Sequence, residues 1–226
     1  MNYFKVILAS FLSAIIALAL YSTFLDNRLQ EPVPVPTPTT VTPDFWQKIV
    51  SDQNLSTVAV QSFKGGKIIR EGSGIIISSD GIIVTTFDIV SGSDILQIFH
   101  KDKILRAKLV KYSSFKNLAI LKIESANLDV ARLDTNYQFQ SGQEVVISGK
   151  IIKLSSPAAF AQKGMVSYVF SKDILLDTES RYFLSGSKTT NTSGFIVGMA
   201  YLREGSVRLI TAEAIDNFVK EYFASL

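Results

Sequence analysis

The sequence predicts a mostly β domain closed by one α-helix, and three observations carry that reading. After Asp44 the chain is a succession of short runs rich in Val, Ile, Tyr and Phe, separated by turn residues, a spacing that suits a barrel or sandwich rather than a helical bundle. The last segment changes period, with Ile215, Phe218, Val219, Tyr222 and Phe223 repeating at helical spacing behind the potential N-cap Thr211 and the acidic Glu213. Ahead of both lies a stretch from Val6 to Leu25 without a single charged side chain.

Twenty residues at 1.5 Å each match a hydrocarbon thickness of about 30 Å, so the opening stretch suits a transmembrane helix over residues 1–26. Two readings compete there. Ala17-Leu18-Ala19 looks like a small-x-small cleavage site, whereas the run is longer than the core of a cleaved signal peptide, which favours an uncleaved signal anchor. Lys5 precedes the run and Asp26, Arg28 and Glu31 follow it, which places the N-terminus on the inner side of the cytoplasmic membrane and the remainder outside it. Five of the six prolines fall between Pro32 and Pro43, alternating with valine and threonine. A polyproline II stalk over residues 27–44 follows, about 35 Å long, with the folded domain occupying 45–226.

The predicted strands run in order through Thr57–Phe63, Lys67–Glu71, Gly74–Ser78, Ile82–Thr86, Ile95–Phe99, Ile104–Tyr112 and Leu118–Ile123, then Glu144–Gly149, Lys163–Phe170, Asp173–Thr178, Arg181–Gly186, Phe195–Arg203 and Ser206–Ala212. Gly65-Gly66 and Asp80-Gly81 supply tight turns. The apolar stripe of the terminal helix is wide enough to cover a core.

Composition excludes several functions. A net charge of +3 with dispersed lysines offers no basic stripe for nucleic acid. One histidine and no cysteine leave no zinc site of the usual kinds, and Gly65-Gly66-Lys67 and Gly186-Ser187-Lys188-Thr189 miss the phosphate-loop spacing, so no metal and no cofactor is expected.

Five segments, taken together and in order, resemble the protease domain of the HtrA/Deg family. Gly72–Thr86 is similar to its GSGF-I-I-x-x-DG-x-IVTN hairpin, Asn117–Ile123 to its DLAVLKI strand, and Ser141–Gly149 to its x-G-x-x-V-x-A-I-G. Gly164–Ser167 looks like its GIVS and Asn191–Gly194 like its GNSGG nucleophile loop. The resemblance implies a trypsin-like double six-stranded antiparallel β-barrel with a C-terminal α-helix. It places Ser193 at the nucleophile, Asp88 at the catalytic histidine and Asn117 at the catalytic aspartate, with Asn191, Thr192 and Gly194 forming the oxyanion loop. The family's PDZ module is not expected within these residues, since the terminal helix reaches Phe223.

Two of three catalytic side chains are thus changed, and a slip of one residue puts Phe87 or Ile89, not an imidazole, at the histidine position. Aspartate, with a reference pKa of about 3.9, is a poor proton acceptor for a serine hydroxyl. His100 is expected on an exposed hairpin. Lys188 could serve Ser193 as base only if burial lowered its pKa, and the polar sequence around it gives no sign of burial. Asp88 could instead cap a helical turn, Asn117 could satisfy backbone groups at a strand start, and Ser193 could be an ordinary turn residue.

The expectation is a membrane-anchored, catalytically degenerate protease homologue that binds polypeptide or scaffolds protein partners outside the cytoplasm. Two alternatives stand beside it. One is an active serine endopeptidase using Ser193 with an unorthodox or borrowed base. The other is a subunit of a homo- or hetero-oligomer, joined through Phe45 and Trp46.

Overall fold

The computed structural model describes residues 54–153 and 156–226, together with Tyr3, 15–18, 20–21, 46–48 and 50–51. Contacts divide the chain into two units, Met1–Thr40 and Val41–Leu226. The expected transmembrane helix and proline-rich stalk lie almost wholly outside the described residues. Among the described residues no helix is long and apolar enough to cross a membrane.

Twelve strands close into two six-stranded antiparallel barrels. The first contains β1 (Thr57–Lys64), β2 (Lys67–Ile76), β3 (Ile82–Thr86), β4 (Ile95–His100), β5 (Lys103–Ser113) and β6 (Leu118–Lys122), with the four-residue turn α1 (Phe87–Val90) between β3 and β4. The second contains β7 (Glu144–Lys153), β8 (Ser156–Phe170), β9 (Asp173–Asp177), β10 (Ser187–Thr190), β11 (Ile196–Arg203) and β12 (Ser206–Thr211), followed by α2 (Ala212–Phe223). Closure leaves neither barrel with a free sheet edge.

The turns expected from sequence form as glycine requires. Gly65 and Gly66 adopt φ of 55° and 76° between β1 and β2, and Gly81 adopts 105° before β3. Thr211 caps α2, its Oγ1 accepting the Ala214 N–H at 3.2 Å. The inward faces alternate as strand periodicity demands: Val58, Val60, Ile83, Ile98 and Leu121 fill the first barrel, and Val145, Ile147, Val166, Leu176 and Leu209 fill the second. Ile215, Phe218 and Val219 of α2 cover a third cluster with Ile75, Leu118 and Ile120 of the first barrel and Ile196 and Met199 of the second. The helix stripe therefore packs against the body of the domain, as its width suggested.

Where β2 meets β7 and β10 the interior is polar instead. Ser73 Oγ accepts the Lys150 N–H at 2.9 Å and donates to the Lys150 carbonyl at 3.2 Å, and Ser187 Oγ lies 3.4 Å from Ser73 Oγ. The chain crosses this seam at Gly186, whose φ is 79°. A β-carbon there would sit 2.0 Å from the Ser73 carbonyl oxygen, which is fixed in the sheet. Gly186→Ala is expected to cost about 3 kcal/mol or more, read as a lower urea midpoint at unchanged slope, because positive φ and a backbone clash act together.

The segment Arg181–Gly186 is not the strand its Tyr-Phe-Leu content suggested. Leu184 N–H bonds the Arg181 carbonyl at 3.0 Å and Ser187 N–H bonds the Leu184 carbonyl at 3.1 Å, so it coils through two successive turns. The strand lies just beyond, as β10, all four residues of which are buried.

Candidate functional site

β3 delivers Asp88 on α1, directly after Thr86. Asn117 heads β6 and holds that turn in place: its carbonyl accepts the Phe87 N–H at 3.1 Å and its Oδ1 accepts the Asp88 N–H at 3.0 Å. It does so at φ 50°, a left-handed conformation that asparagine tolerates better than most residues. Asp88 lies within the turn and Thr86 at its N-cap position, so the capping side chain belongs to Asn117, which satisfies backbone groups at a strand start as expected.

The side chain of Asp88 meets a serine other than Ser193. Ser185 Oγ donates to Asp88 Oδ2 at 2.7 Å, 97 residues away along the chain. The same hydroxyl accepts the Leu202 N–H of β11 at 3.3 Å, and the Ser185 carbonyl accepts the Ser73 N–H of β2 at 3.0 Å. Ser185 is only 4% exposed, and Asp88 Oδ1 is buried without a hydrogen-bond partner among the described residues. The structure thus brings together Asp88, Asn117 and Ser185, the last of which the sequence reading missed.

Ser193 lies in the five-residue connection between β10 and β11. Asn191 Oδ1 accepts the N–H groups of Ser193 and Phe195, each at 3.0 Å, while Gly194 N–H bonds the Asn191 carbonyl at 3.1 Å with φ of 84°. This is an asparagine-organised turn. Thr192 and Ser193 are exposed, and the Ser193 hydroxyl makes no hydrogen bond among the described residues. Gly194, Phe195 and Ile196 face the inter-barrel segment Asp129–Arg132 across a groove of about 380 Å³. In the expected oxyanion loop of Asn191, Thr192 and Gly194, the bonds of Asn191 run to Ser193, Gly194 and Phe195 of the same turn. In the sequence, Phe183-Leu184-Ser185-Gly186-Ser187 holds a serine followed by glycine, the one local feature that could have drawn attention to Ser185.

Two further expectations are corrected by burial. His100 ends β4 as foreseen, yet it is 5% exposed, set against the backbone of Thr57. Burial and the neighbouring Lys150 and Lys101 charges hold its pKa below the ordinary value. Lys188 is 1% exposed, its Nζ 2.7 Å from Thr57 Oγ1, and burial together with Lys150 lowers its pKa to about 7. The local polarity of the strand concealed a position sealed between barrels. Its ammonium is directed to Thr57, and Ser193 has no base from it. Among the described residues no cluster of His, Asp and Glu could hold a metal ion.

Two barrels packed through a polar seam, with an acid on the turn after β3 and a serine after β9, define a trypsin-like architecture, and comparison with known sequences agrees. The profile of the trypsin-like peptidase domain matches residues 72–200, and the chain belongs to that family. Within it the relatives are of HtrA type: human serine protease HTRA4 is 28% identical over 170 residues, covering 68% of this chain and 35% of the relative. A probable periplasmic serine endoprotease, DegP-like, from Hahella chejuensis is 31% identical over 149 residues, covering 59% and 30%. The chain spans about a third of the length of these two relatives. The crystal structure of a serine endoprotease from Yersinia pestis shares the fold, with a TM-score of 0.69 at 23% identity over 78% of this chain and 66% of that one.

Proposed function

We propose that this HtrA-type domain binds extended polypeptide without hydrolysing it, and that Ser185, rather than Ser193, stands at the nucleophile position. The observation that carries the reading is the hydrogen bond from Ser185 Oγ to Asp88 Oδ2, at a place where a working triad presents an imidazole. A catalytic base needs a pKa near the working pH and must later return the proton to the leaving amine; a carboxylate does neither well. Loss of the imidazole from a comparable triad lowers turnover on the order of a million-fold. The Ser185 hydroxyl is also engaged at both ends, by Asp88 and by the Leu202 N–H, and it is shielded from solvent.

Asn117 retains the backbone-anchoring part of the catalytic aspartate's task while giving up its charge. What remains is a two-barrel scaffold with a groove of about 380 Å³ between Asp129–Arg132 and Gly194–Ile196, suited to holding a chain rather than cutting it. An extracytoplasmic position, with residues 1–26 as signal anchor, 27–44 as stalk and 45–226 as the binding domain, accords with the periplasmic description of the DegP-like relative.

The full chain in detergent micelles is expected to leave casein intact, to resist labelling by a fluorophosphonate probe, and to bind a fluorescent unfolded polypeptide saturably. Casein hydrolysis abolished by Ser185→Ala or by Ser193→Ala would overturn the first half of this reading. Absence of saturable binding would overturn the second.

A further inference from the structure

β4 ends beneath the β7–β8 hairpin, and the space between them is a groove of about 460 Å³. Its cationic lining is unusual for its balance: Lys101, Lys103 and Lys150 border it beside the neutral imidazole of His100, against a single lining acid, Asp102. Asp129 lies 3.5 Å from Lys101 and is already taken up by that pair. Lys150 is left over. The residue is 8% exposed, its backbone is clamped by Ser73, and its ammonium makes no hydrogen bond or ion pair among the described residues. A cation so placed is costly unless an anion meets it. The burial and the Lys101 charge that depress its pKa are the same strain seen from the titration side.

An inorganic anion would satisfy the charge but leave most of the groove empty. Leu55, Pro157 and the flank of Ile104 form an apolar wall, and Asn54 and Ser156 add neutral polar groups able to meet an amide. An apolar side chain, an adjoining peptide group and a free carboxylate together match that lining. We propose that this groove binds the C-terminal residue of a polypeptide, its α-carboxylate received by Lys150 and its side chain by the apolar wall. The site is separate from the Asp88–Ser185 pair and holds whichever way that pair is read.

The test is fluorescence anisotropy on the full chain with a labelled hexapeptide ending in leucine, as the free acid and as the C-terminal amide. The acid is expected to bind saturably and the amide at least tenfold more weakly. Lys150→Met should lower affinity for the acid at least tenfold. Lys103→Ser, at an exposed position where folding is not at stake, should lower it two- to fivefold. Equal binding of acid and amide, no binding of either, or unchanged affinity in both variants would overturn the assignment. Full displacement by decanoate or by inorganic phosphate would also overturn it, by showing a lipid-type or simple anion site.

Discussion

Lys188→Met is expected to raise the stability of the domain by about 2–4 kcal/mol near pH 7 and to remove most of its pH dependence between neutrality and pH 10. The lysine is enclosed at the seam, and its surroundings disfavour the charge: Thr57 offers a hydroxyl, while Lys150 contributes repulsion. The folded pKa of about 7 lies below the ordinary lysine value of 10.5. At pH below about 7 both folded and unfolded chains carry the proton and the full cost of burying it is present. Between about 7 and 10.5 the folded chain has released a proton that the unfolded chain retains, so stability rises with pH across that window. Each tenfold in proton affinity is worth about 1.4 kcal/mol, which sets a ceiling of about 5 kcal/mol; losing the hydrogen bond to Thr57 takes back about 1 kcal/mol. Methionine fills the space with a flexible apolar chain. Lys150 and His100 are depressed in the same direction, Lys150 by burial and Lys101, His100 by burial, Lys150 and Lys101, so some acid sensitivity survives in the variant. Urea unfolding at pH 6, 7.5 and 9 tests this; parallel stability curves for the native chain and the Lys188→Met variant would refute it. That outcome would mean the ammonium is well solvated or compensated where it lies.

The contrast between Lys188 and the apolar strands explains what could be read from sequence. β1, β3 and β6 declare themselves because Val58, Val60, Ile83 and Leu121 alternate toward one core, and the glycines at 65, 66 and 81 mark their turns. α2 declares itself by its period and its threonine cap. β10 could not be found that way: Ser187, Lys188, Thr189 and Thr190 are buried by a second barrel closing over them, and buried polarity leaves no periodic apolar signal. His100 was concealed for the same reason, since its burial depends on residues remote in sequence, among them Thr57 of β1 and Lys150 of β7. Asp88 and Asn117 were legible because each sits at a fixed offset from a recognisable strand. Ser185 was not, because nothing in its local sequence announces a bond to Asp88, 97 residues away, while Asn191 and Gly194 also suit a tight turn.

Restoring the lost groups should therefore act on Ser185 and leave Ser193 untouched. In the double variant Asp88→His with Asn117→Asp, the imidazole replaces a carboxylate already 2.7 Å from the Ser185 hydroxyl, and the new carboxylate keeps the acceptor that Asn117 Oδ1 offers to the backbone of residue 88. Aspartate shares asparagine's tolerance of the φ of 50° at position 117. A fluorophosphonate probe needs an activated hydroxyl but far less of the leaving-group chemistry that peptide hydrolysis demands, so it reports on the base alone. The expected result is labelling at least a hundredfold faster than in the native chain, with the adduct on Ser185 by peptide mapping and lost in the triple variant carrying Ser185→Ala. Ser185→Ala alone should cost about 1–3 kcal/mol, since it strips Asp88 of its only side-chain donor, whereas Ser193→Ala at an exposed turn should lie within about 0.5 kcal/mol of the native chain. On the proposed placement of Ser185, casein turnover would still be limited, because Phe183 then falls where the family has a glycine whose backbone N–H steadies the oxyanion. An adduct on Ser193, or equal stability losses for the two serines, would remove the basis for placing the degenerate triad at Asp88, Asn117 and Ser185.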